Sequence, residues 1–223
     1  MSEDRFSGWQ RYRLVVLVGV LVGLVVYAYG GALLAKVRYQ PQEGDVLFQS
    51  LPNPPGLDLV DAIEGASGSP YSHCGVVVEK EGEWYVLEGM VPVVQETPLS
   101  KWIGRGRGKF TVYRLKSELR VRIGAWIAEM REEMGKAYDF RYRMEDDAIY
   151  CSELPFDGWK RLTGEEMGKV VELGELNWEP YRAVIAEIEG TDELPLQRKM
   201  ITPKNLARSE QLEFVLANGL KRE

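Results

Sequence analysis

Residues 14–35 form an unbroken run of 22 residues without a charged side chain, near the start of this 223-residue chain. An apolar helix needs about 20 residues to cross the hydrocarbon core of a membrane. The run is apolar on every side, which does not suit the surface of a globular domain, and a buried core helix is the weaker alternative. We therefore predict a membrane-spanning helix over residues 14–36, preceded by a short tail over residues 1–13.

The flanking charges predict an orientation for this segment. Three basic residues precede the run, and two, Lys36 and Arg38, follow it. Because basic residues favour the cytoplasmic side, we expect a single span in the inner membrane with the globular domain on the periplasmic side. Cleavable signal peptides have apolar regions of only about 7–15 residues. An uncleaved anchor is therefore favoured, and cleavage near residues 28–30 is the alternative.

The rest of the chain is long enough for one domain of roughly 185 residues. The net charge of −6, from 28 Lys and Arg against 34 Asp and Glu, argues against nucleic acid as a partner. Arg105, Arg107 and Lys109 form the one local basic cluster. Two interpretations are open: a solvated loop, or a contact for a lipid phosphate or a substrate carboxylate.

His73 and Cys151 are the candidates for nucleophilic chemistry. His73 is the only histidine, and it lies at the start of an apolar stretch that predicts a buried strand. Cys151 follows a short apolar run and precedes a helical pattern that ends near Thr163. A thiol at a helix start gains thiolate character from the free backbone N–H groups. Pro155 lacks an amide, so the first turn must be loosened or the helix must begin after Cys151.

Glu88 is the predicted partner of the second ring nitrogen of His73. Residues 75–79 and 84–88 have the pattern of two strands joined by a tight turn that contains Gly82. His73 and Glu88 are about equally far from that turn, so an antiparallel hairpin brings them together. A surface glutamate at a strand end is the alternative.

Cys74 raises the question of a disulfide with Cys151. Successive residues of a strand point to opposite faces, so Cys74 is expected to point away from His73 and to act as a small buried hydrophobe. We therefore disfavour the disulfide. Carboxylates at residues 145–147 could bind a metal, but with one histidine and no ligand-spaced cysteines we expect neither a metal nor a cofactor.

Periodicity predicts the remaining elements. Thr97 has the pattern of a helix cap, with Pro98 as the first helical residue. Further predictions are a linker over residues 37–44, a strand over 45–49, and helices over 57–63, 117–134, 181–188 and 205–216.

Four segments in this order resemble a known family: residues 44–48, 68–77, 84–88 and 150–154. They are similar to the circularly permuted papain-like hydrolases, in which histidine precedes cysteine, the reverse of papain. The nearest resemblance is to the YiiX/YebB-like group of the NlpC/P60 superfamily, and lecithin:retinol acyltransferases are more distant. The resemblance covers residues 44–163 and extends less securely to residues 201–209.

The resemblance implies an α+β fold: a circularly permuted papain-like domain, NlpC/P60-type, with a small antiparallel sheet packed by helices. The catalytic core would be residues 45–165, with a C-terminal extension over residues 166–223 packing on it. It also implies a cysteine amidase or peptidase without a cofactor, acting on cell-wall peptides or related amides through Cys151, His73 and Glu88. Two alternatives stay open: a lipid-directed thiol acyltransferase or esterase, and an inactive binding module of the same fold.

Overall fold

The computed structural model of this chain describes residues 13, 16–20, 23, 39–144 and 146–223. Most of the predicted membrane span, residues 14–36, lies outside these ranges. Within them, no helix combines the length and apolar character that a membrane crossing requires.

A six-stranded antiparallel sheet forms the centre of the domain. Its strands lie in the order β4-β3-β2-β1-β5-β8. Their bounds are β1 Val46–Gln49, β2 His73–Lys80, β3 Glu83–Gly89, β4 Val94–Pro98, β5 Phe110–Leu115 and β8 Leu212–Asn218. Two short strands, β6 (Val171–Glu172) and β7 (Lys199–Met200), pair separately. This architecture is the α+β arrangement of sheet and helices that the resemblance implied.

Both faces of the sheet are covered, so the central strand β1 is buried at every residue. One face carries the larger core, in which Val76 and Leu87 pack with Trp126 and Trp159. The other face carries a smaller core, where Val77 packs with Trp102. The alternation along β2 therefore decides which side chains enter which core.

Six helices pack around the sheet in the described part of the chain: α1 Leu59–Ser67, α2 Leu99–Arg105, α3 Ile123–Arg131, α4 Glu153–Thr163, α5 Arg182–Glu189 and α6 Pro203–Ala207. The helix predicted over residues 57–63 begins and ends later, as α1. The one predicted over residues 117–134 is divided, because a 3-10 segment, Ser117–Arg122, precedes α3. The helix predicted over residues 181–188 is confirmed as α5, shifted by one residue.

The predicted last helix over residues 205–216 is wrong. Helix α6 ends at Ala207, and β8 then pairs with β5 as the edge strand of the main sheet. Leu212 and Phe214 pack against the larger core, whereas Leu216, beyond a register shift between β5 and β8, packs against the smaller core. The C-terminal extension therefore completes the central sheet as well as packing on it.

The predicted linker over residues 37–44 is anchored to the domain at Tyr39. The Tyr39 hydroxyl donates to Asp45 Oδ2 at 2.7 Å, and the Arg114 guanidinium donates to both oxygens of the same carboxylate. Tyr39 is buried in the smaller core. The chain is thus fixed in place from this residue onward.

Candidate active site

Cys151 lies just before helix α4, which begins at Glu153 with Ser152 as its cap residue. Pro155 is then the third helical residue, where the missing amide costs nothing because the first four N–H groups of a helix have no partner within it. The later helix start expected from Pro155 is therefore observed. Cys151 itself is buried, with its sulfur 3.9 Å from the carbonyl oxygen of Ser72.

Gly89 allows the Cys151 segment to lie directly on the end of strand β3. A Cβ at this position would come within 3.0 Å of the carbonyl carbon and oxygen of Tyr150 and 3.2 Å of the Cys151 nitrogen. Backbone atoms cannot move aside as a flexible side chain can. The absence of a side chain at Gly89 is thus what sets the close approach of the Cys151 backbone to the sheet.

His73 and Glu88 are brought together by the predicted hairpin. His73 Nε2 lies 2.6 Å from Glu88 Oε2, and both side chains are almost fully buried. The strand register pairs Val76 with Leu87, which places Gly75 opposite Glu88. His73, two residues from Gly75, reaches Glu88 diagonally on the same face. The ring of Trp102 lies 6.1 Å from the imidazole ring and covers it.

Two further residues support the Glu88 carboxylate. The Thr97 hydroxyl donates to Oε1 at 2.6 Å, and the Arg105 guanidinium donates to the same oxygen. Burial alone would raise the pKa of Glu88, but the His73, Arg105 and Thr97 contacts outweigh it and lower that pKa. The carboxylate is therefore ionised at neutral pH.

This arrangement changes two predictions. Thr97 is not a helix cap: it belongs to β4, and Pro98 is the residue before α2, with no side-chain cap. Arg105 is not free to contact a ligand with its whole guanidinium, because it forms an ion pair with Glu88. Sequence analysis missed both supports, although they lie only 9 and 17 residues from Glu88, because it assigned Thr97 to a helix cap and Arg105 to a basic cluster.

The electrostatics favour a thiolate–imidazolium pair. Burial by itself would lower the pKa of His73, but hydrogen bonds to Cys151 and Glu88 and the charges of both raise it to about 9. Since Nε2 is bonded to Glu88, Nδ1 is the nitrogen left for the thiol. The pKa of Cys151 lies well below its usual range. A hydrogen bond from Cys74 lowers it most, and the hydrogen bond and charge of His73 lower it further, whereas burial alone would raise it.

Cys74 points to the face opposite His73, as the strand alternation predicted, and into the larger core. Cys151 lies on that side, so Cys74 is also its neighbour and hydrogen-bonds to it. Burial and the neighbouring Cys151 raise the pKa of Cys74 well above its usual range, which keeps it a neutral thiol. Both cysteines are free thiols in the structure.

An apolar pocket with an empty volume of about 760 Å³ opens beside Cys151. Its walls come from the helices α1 and α5 and from the C-terminal extension, and include Leu59, Ala62, Ile63, Leu173, Leu176, Ile185, Ile188, Met200 and Ile201. Glu189 and Arg198, joined by a two-bond ion pair, supply charged groups to the lining. Sequence analysis missed this pocket because its walls come from segments separated by more than a hundred residues.

The comparisons with known proteins agree with this geometry. The family model described as permuted papain-like amidase enzyme, YaeF/YiiX, C92 family, matches residues 40–216. The uncharacterized protein YiiX of Escherichia coli (strain K12) is 32% identical over 181 residues, covering 79% of this chain and 87% of YiiX. A crystal structure of YiiX from Escherichia coli O157:H7, described as a metalloprotein, has a TM-score of 0.71 and 30% identity, covering 80% of this chain and 98% of its own.

The description of that crystal structure raises the question of a metal in this chain. Among residues 39–144 and 146–223, no three His, Cys, Asp or Glu side chains are placed to hold a metal ion. The single histidine is bonded to Glu88. The described residues therefore do not fit a metal centre.

Proposed function

This chain belongs to the YaeF/YiiX (C92) family of permuted papain-like amidases, and from that premise we propose that it is a cysteine amidase whose catalytic residues are Cys151, His73 and Glu88. The observation that carries the proposal is the 2.6 Å contact between His73 Nε2 and Glu88, which leaves Nδ1 for the thiol. A nucleophile, a base and a group that orients the base are the minimum set for covalent acyl transfer.

In the proposed mechanism, the Cys151 thiolate attacks the amide carbonyl carbon and forms a tetrahedral intermediate. The His73 imidazolium then gives its proton to the leaving nitrogen, the C–N bond breaks, and a thioester remains on Cys151. Neutral His73 next takes a proton from water, whose oxygen attacks the thioester. Collapse of the second tetrahedral intermediate breaks the C–S bond, releases the carboxylic acid, and leaves the Cys151 thiolate beside the His73 imidazolium, the state in which the cycle began.

We assign the stabilisation of the developing oxyanion to the backbone N–H of Cys151. This N–H lies at the approach to helix α4, where amides have no partner within the helix. The close seating of this backbone on Gly89 would hold the donor rigid. A preorganised donor is worth more than a mobile one because it needs no reorientation during the reaction.

The first candidate substrates are cell-wall peptides or related amides. The test is incubation of the full-length protein in neutral detergent with peptidoglycan fragments, followed by mass spectrometry. We expect fragments cleaved at an amide bond, and no cleavage by Cys151→Ala. Binding of the fragments without cleavage by the native protein would instead support an inactive binding module.

A second candidate, a lipid-directed acyl hydrolase or acyltransferase, is favoured by the apolar pocket beside Cys151. Burial of an acyl chain contributes about 0.8 kcal/mol per CH₂ group. We expect amides of a twelve-carbon acid to have a lower KM than amides of acetic acid, with about a fourfold gain per buried CH₂ group.

Substitution in the pocket wall separates the two candidates. Ile185→Trp fills the pocket from α5, whereas Ala183→Trp adds the same bulk on an exposed side of that helix. If acyl chains bind there, Ile185→Trp raises KM for the long-chain amide and leaves the acetyl amide unchanged, while Ala183→Trp changes neither. Equal KM values for both amides in the native protein would argue against the lipid-directed candidate.

We further propose that residues 14–36 anchor the domain to the inner membrane with the domain on the periplasmic side. The support is the run of 22 uncharged residues, with three basic residues before it and only two, Lys36 and Arg38, after it. The expected result is that the full chain resists extraction by alkaline carbonate, while a chain beginning at Gln40 is recovered in the soluble fraction. Extraction of the full chain by alkaline carbonate would overturn the membrane anchor. Protection of the domain from protease added to the periplasm would overturn its periplasmic position.

A further inference from the structure

A second pocket lies behind the proposed catalytic residues, where the turn after α2 meets the segment that leaves β1. Residues 50–52 form one wall, and residues 105–107 with Lys109 form the other. The empty volume is about 520 Å³. This pocket is separate from the apolar pocket beside Cys151, and the two share no lining residue.

The charge of this pocket is entirely positive. Arg105, Arg107 and Lys109 line it, and no carboxylate does. Among the ion pairs within the described residues, Arg105 bonds to Glu88, and none includes Arg107 or Lys109. Glu88 compensates the charge of Arg105, so Arg107 and Lys109 supply most of the positive field, which raises the local concentration of anions.

The turn that carries Arg107 and Lys109 has one residue in an unfavourable backbone conformation. Arg107 has a φ of 53°, in the left-handed region. A residue other than glycine or asparagine in that region costs on the order of 1 kcal/mol. The turn is nevertheless well fixed, because the nitrogens of Arg107 and Lys109 donate to the Gly104 and Gly106 carbonyls at 3.0 and 2.9 Å. An arginine at a position that favours glycine is a reason to look for a role of its charge.

We propose that this pocket binds a phosphate group, held by Arg107, Lys109 and the outward side of Arg105. Guanidinium groups match phosphate oxygens in geometry and charge. Leu51 and Pro52 on the opposite wall give an apolar contact for whatever carries the phosphate. The phosphate could come from a soluble ion or from a lipid headgroup, and both would use the same donors.

Calorimetric titration of the full-length protein in neutral detergent tests this site, with inorganic phosphate and with dihexanoylphosphatidic acid below its micelle concentration as probes. Ionic strength is held constant with sodium chloride. We expect saturable binding at one site, weakened at least tenfold in Arg107→Gln/Lys109→Gln. Lys116→Gln/Lys199→Gln, which changes the net charge equally at half-exposed or exposed positions outside the pocket lining, should bind as the native protein does.

The two probes distinguish the source of the phosphate. Tighter binding of the lipid phosphate than of inorganic phosphate indicates a headgroup that also contacts Leu51 and Pro52. Equal binding indicates recognition of the phosphate group alone. Failure of both probes to saturate, or unchanged affinity in Arg107→Gln/Lys109→Gln, would overturn the proposal.

Discussion

Glu88 contacts His73 across a diagonal of the hairpin, although the residue directly opposite Glu88 is Gly75. A Cβ on Gly75 would lie 2.5 Å from a methyl group of Val86 and 3.1 Å from the Cβ of Glu88. The glycine therefore leaves the space through which the His73–Glu88 pair is formed. The same carboxylate accepts hydrogen bonds from Thr97 and Arg105, so four elements of the fold meet at one side chain.

Substitution of Gly75 should therefore disturb the site from within the sheet. We expect Gly75→Ala to lower the free energy of unfolding by about 1–3 kcal/mol, because an added methyl group in a packed site forces its neighbours to move. Turnover should fall as well, since Glu88 is displaced. Gly104→Ala is the matched control: its Cβ meets no atom within 4 Å, and alanine favours a helix. Urea denaturation and amidase assays measure both effects, and equal results for the two variants would contradict the role given to Gly75.

Alkylation of Cys151 should be fast over a broad pH range. The pKa of Cys151 is lowered and the pKa of His73 is raised to about 9, so the ion pair exists between those values. Labelling by iodoacetamide, located by mass spectrometry, should already be near its plateau at neutral pH. In His73→Ala, the labelling rate should instead rise only toward the pKa of an ordinary thiol, about 8.5. Identical pH profiles for the two proteins would refute the ion pair.

The rate of amide cleavage and the rate of Cys151 alkylation should depend differently on pH. As pH rises through about 9, His73 loses the proton that the leaving nitrogen needs, so the rate of amide cleavage should fall while alkylation of the thiolate continues. Parallel measurements of kcat and labelling rate from neutral pH to pH 10 check this separation. A turnover rate that keeps rising above pH 9 would exclude His73 as the acid.

The three proposed catalytic residues should be unequal in effect. We expect Cys151→Ala and His73→Ala to lower kcat/KM on the order of 10⁴-fold or more, because nucleophile and base act as one unit. Glu88→Gln should cost less, about 10²–10³-fold, since an amide still accepts from Thr97 but no longer stabilises the imidazolium. Circular dichroism confirms folding of each variant. A larger loss in Glu88→Gln than in His73→Ala would require a different assignment of roles.

Glu153 should make stability depend on pH. Burial, followed by the charge of Asp157, raises the pKa of Glu153 to about 9. In the unfolded chain the carboxyl loses its proton near pH 4.3, so above that pH the folded state binds one proton more than the unfolded state. The free energy of unfolding should therefore fall as pH rises from about 4.3 toward 9, by at most about 1.4 kcal/mol per unit.

Glu153→Gln is the variant that isolates this effect. Glutamine can still accept the hydrogen bond that the Tyr150 nitrogen donates to Glu153 at 3.2 Å. We expect the variant to have a flatter dependence of stability on pH and greater stability than the native protein near pH 8. Denaturation at several pH values measures the slope, and parallel slopes for the two proteins would show that Glu153 is already ionised.

Local sequence patterns predicted the elements and contacts that are formed by residues close together in the chain. Alternating apolar residues and a glycine in the turn predicted the β2–β3 hairpin, and that hairpin was enough to predict the His73–Glu88 contact. The position of Pro155 predicted either a loosened first turn or a helix that begins after Cys151, and the structure has the later start. The resemblance of four ordered segments to permuted papain-like hydrolases predicted the family, which the match over residues 40–216 confirms.

Tertiary structure alone decided the parts of the site that depend on contacts between distant segments. Cys74 lies beside Cys151, and α1, α5 and the extension together enclose the apolar pocket. Residues 212–218, which have enough apolar side chains for either structure, form a strand because the edge of β5 offers them unpaired backbone groups. The periodicity of apolar residues indicates which side of a helix or strand is buried. Only the tertiary packing decides which other element that side contacts.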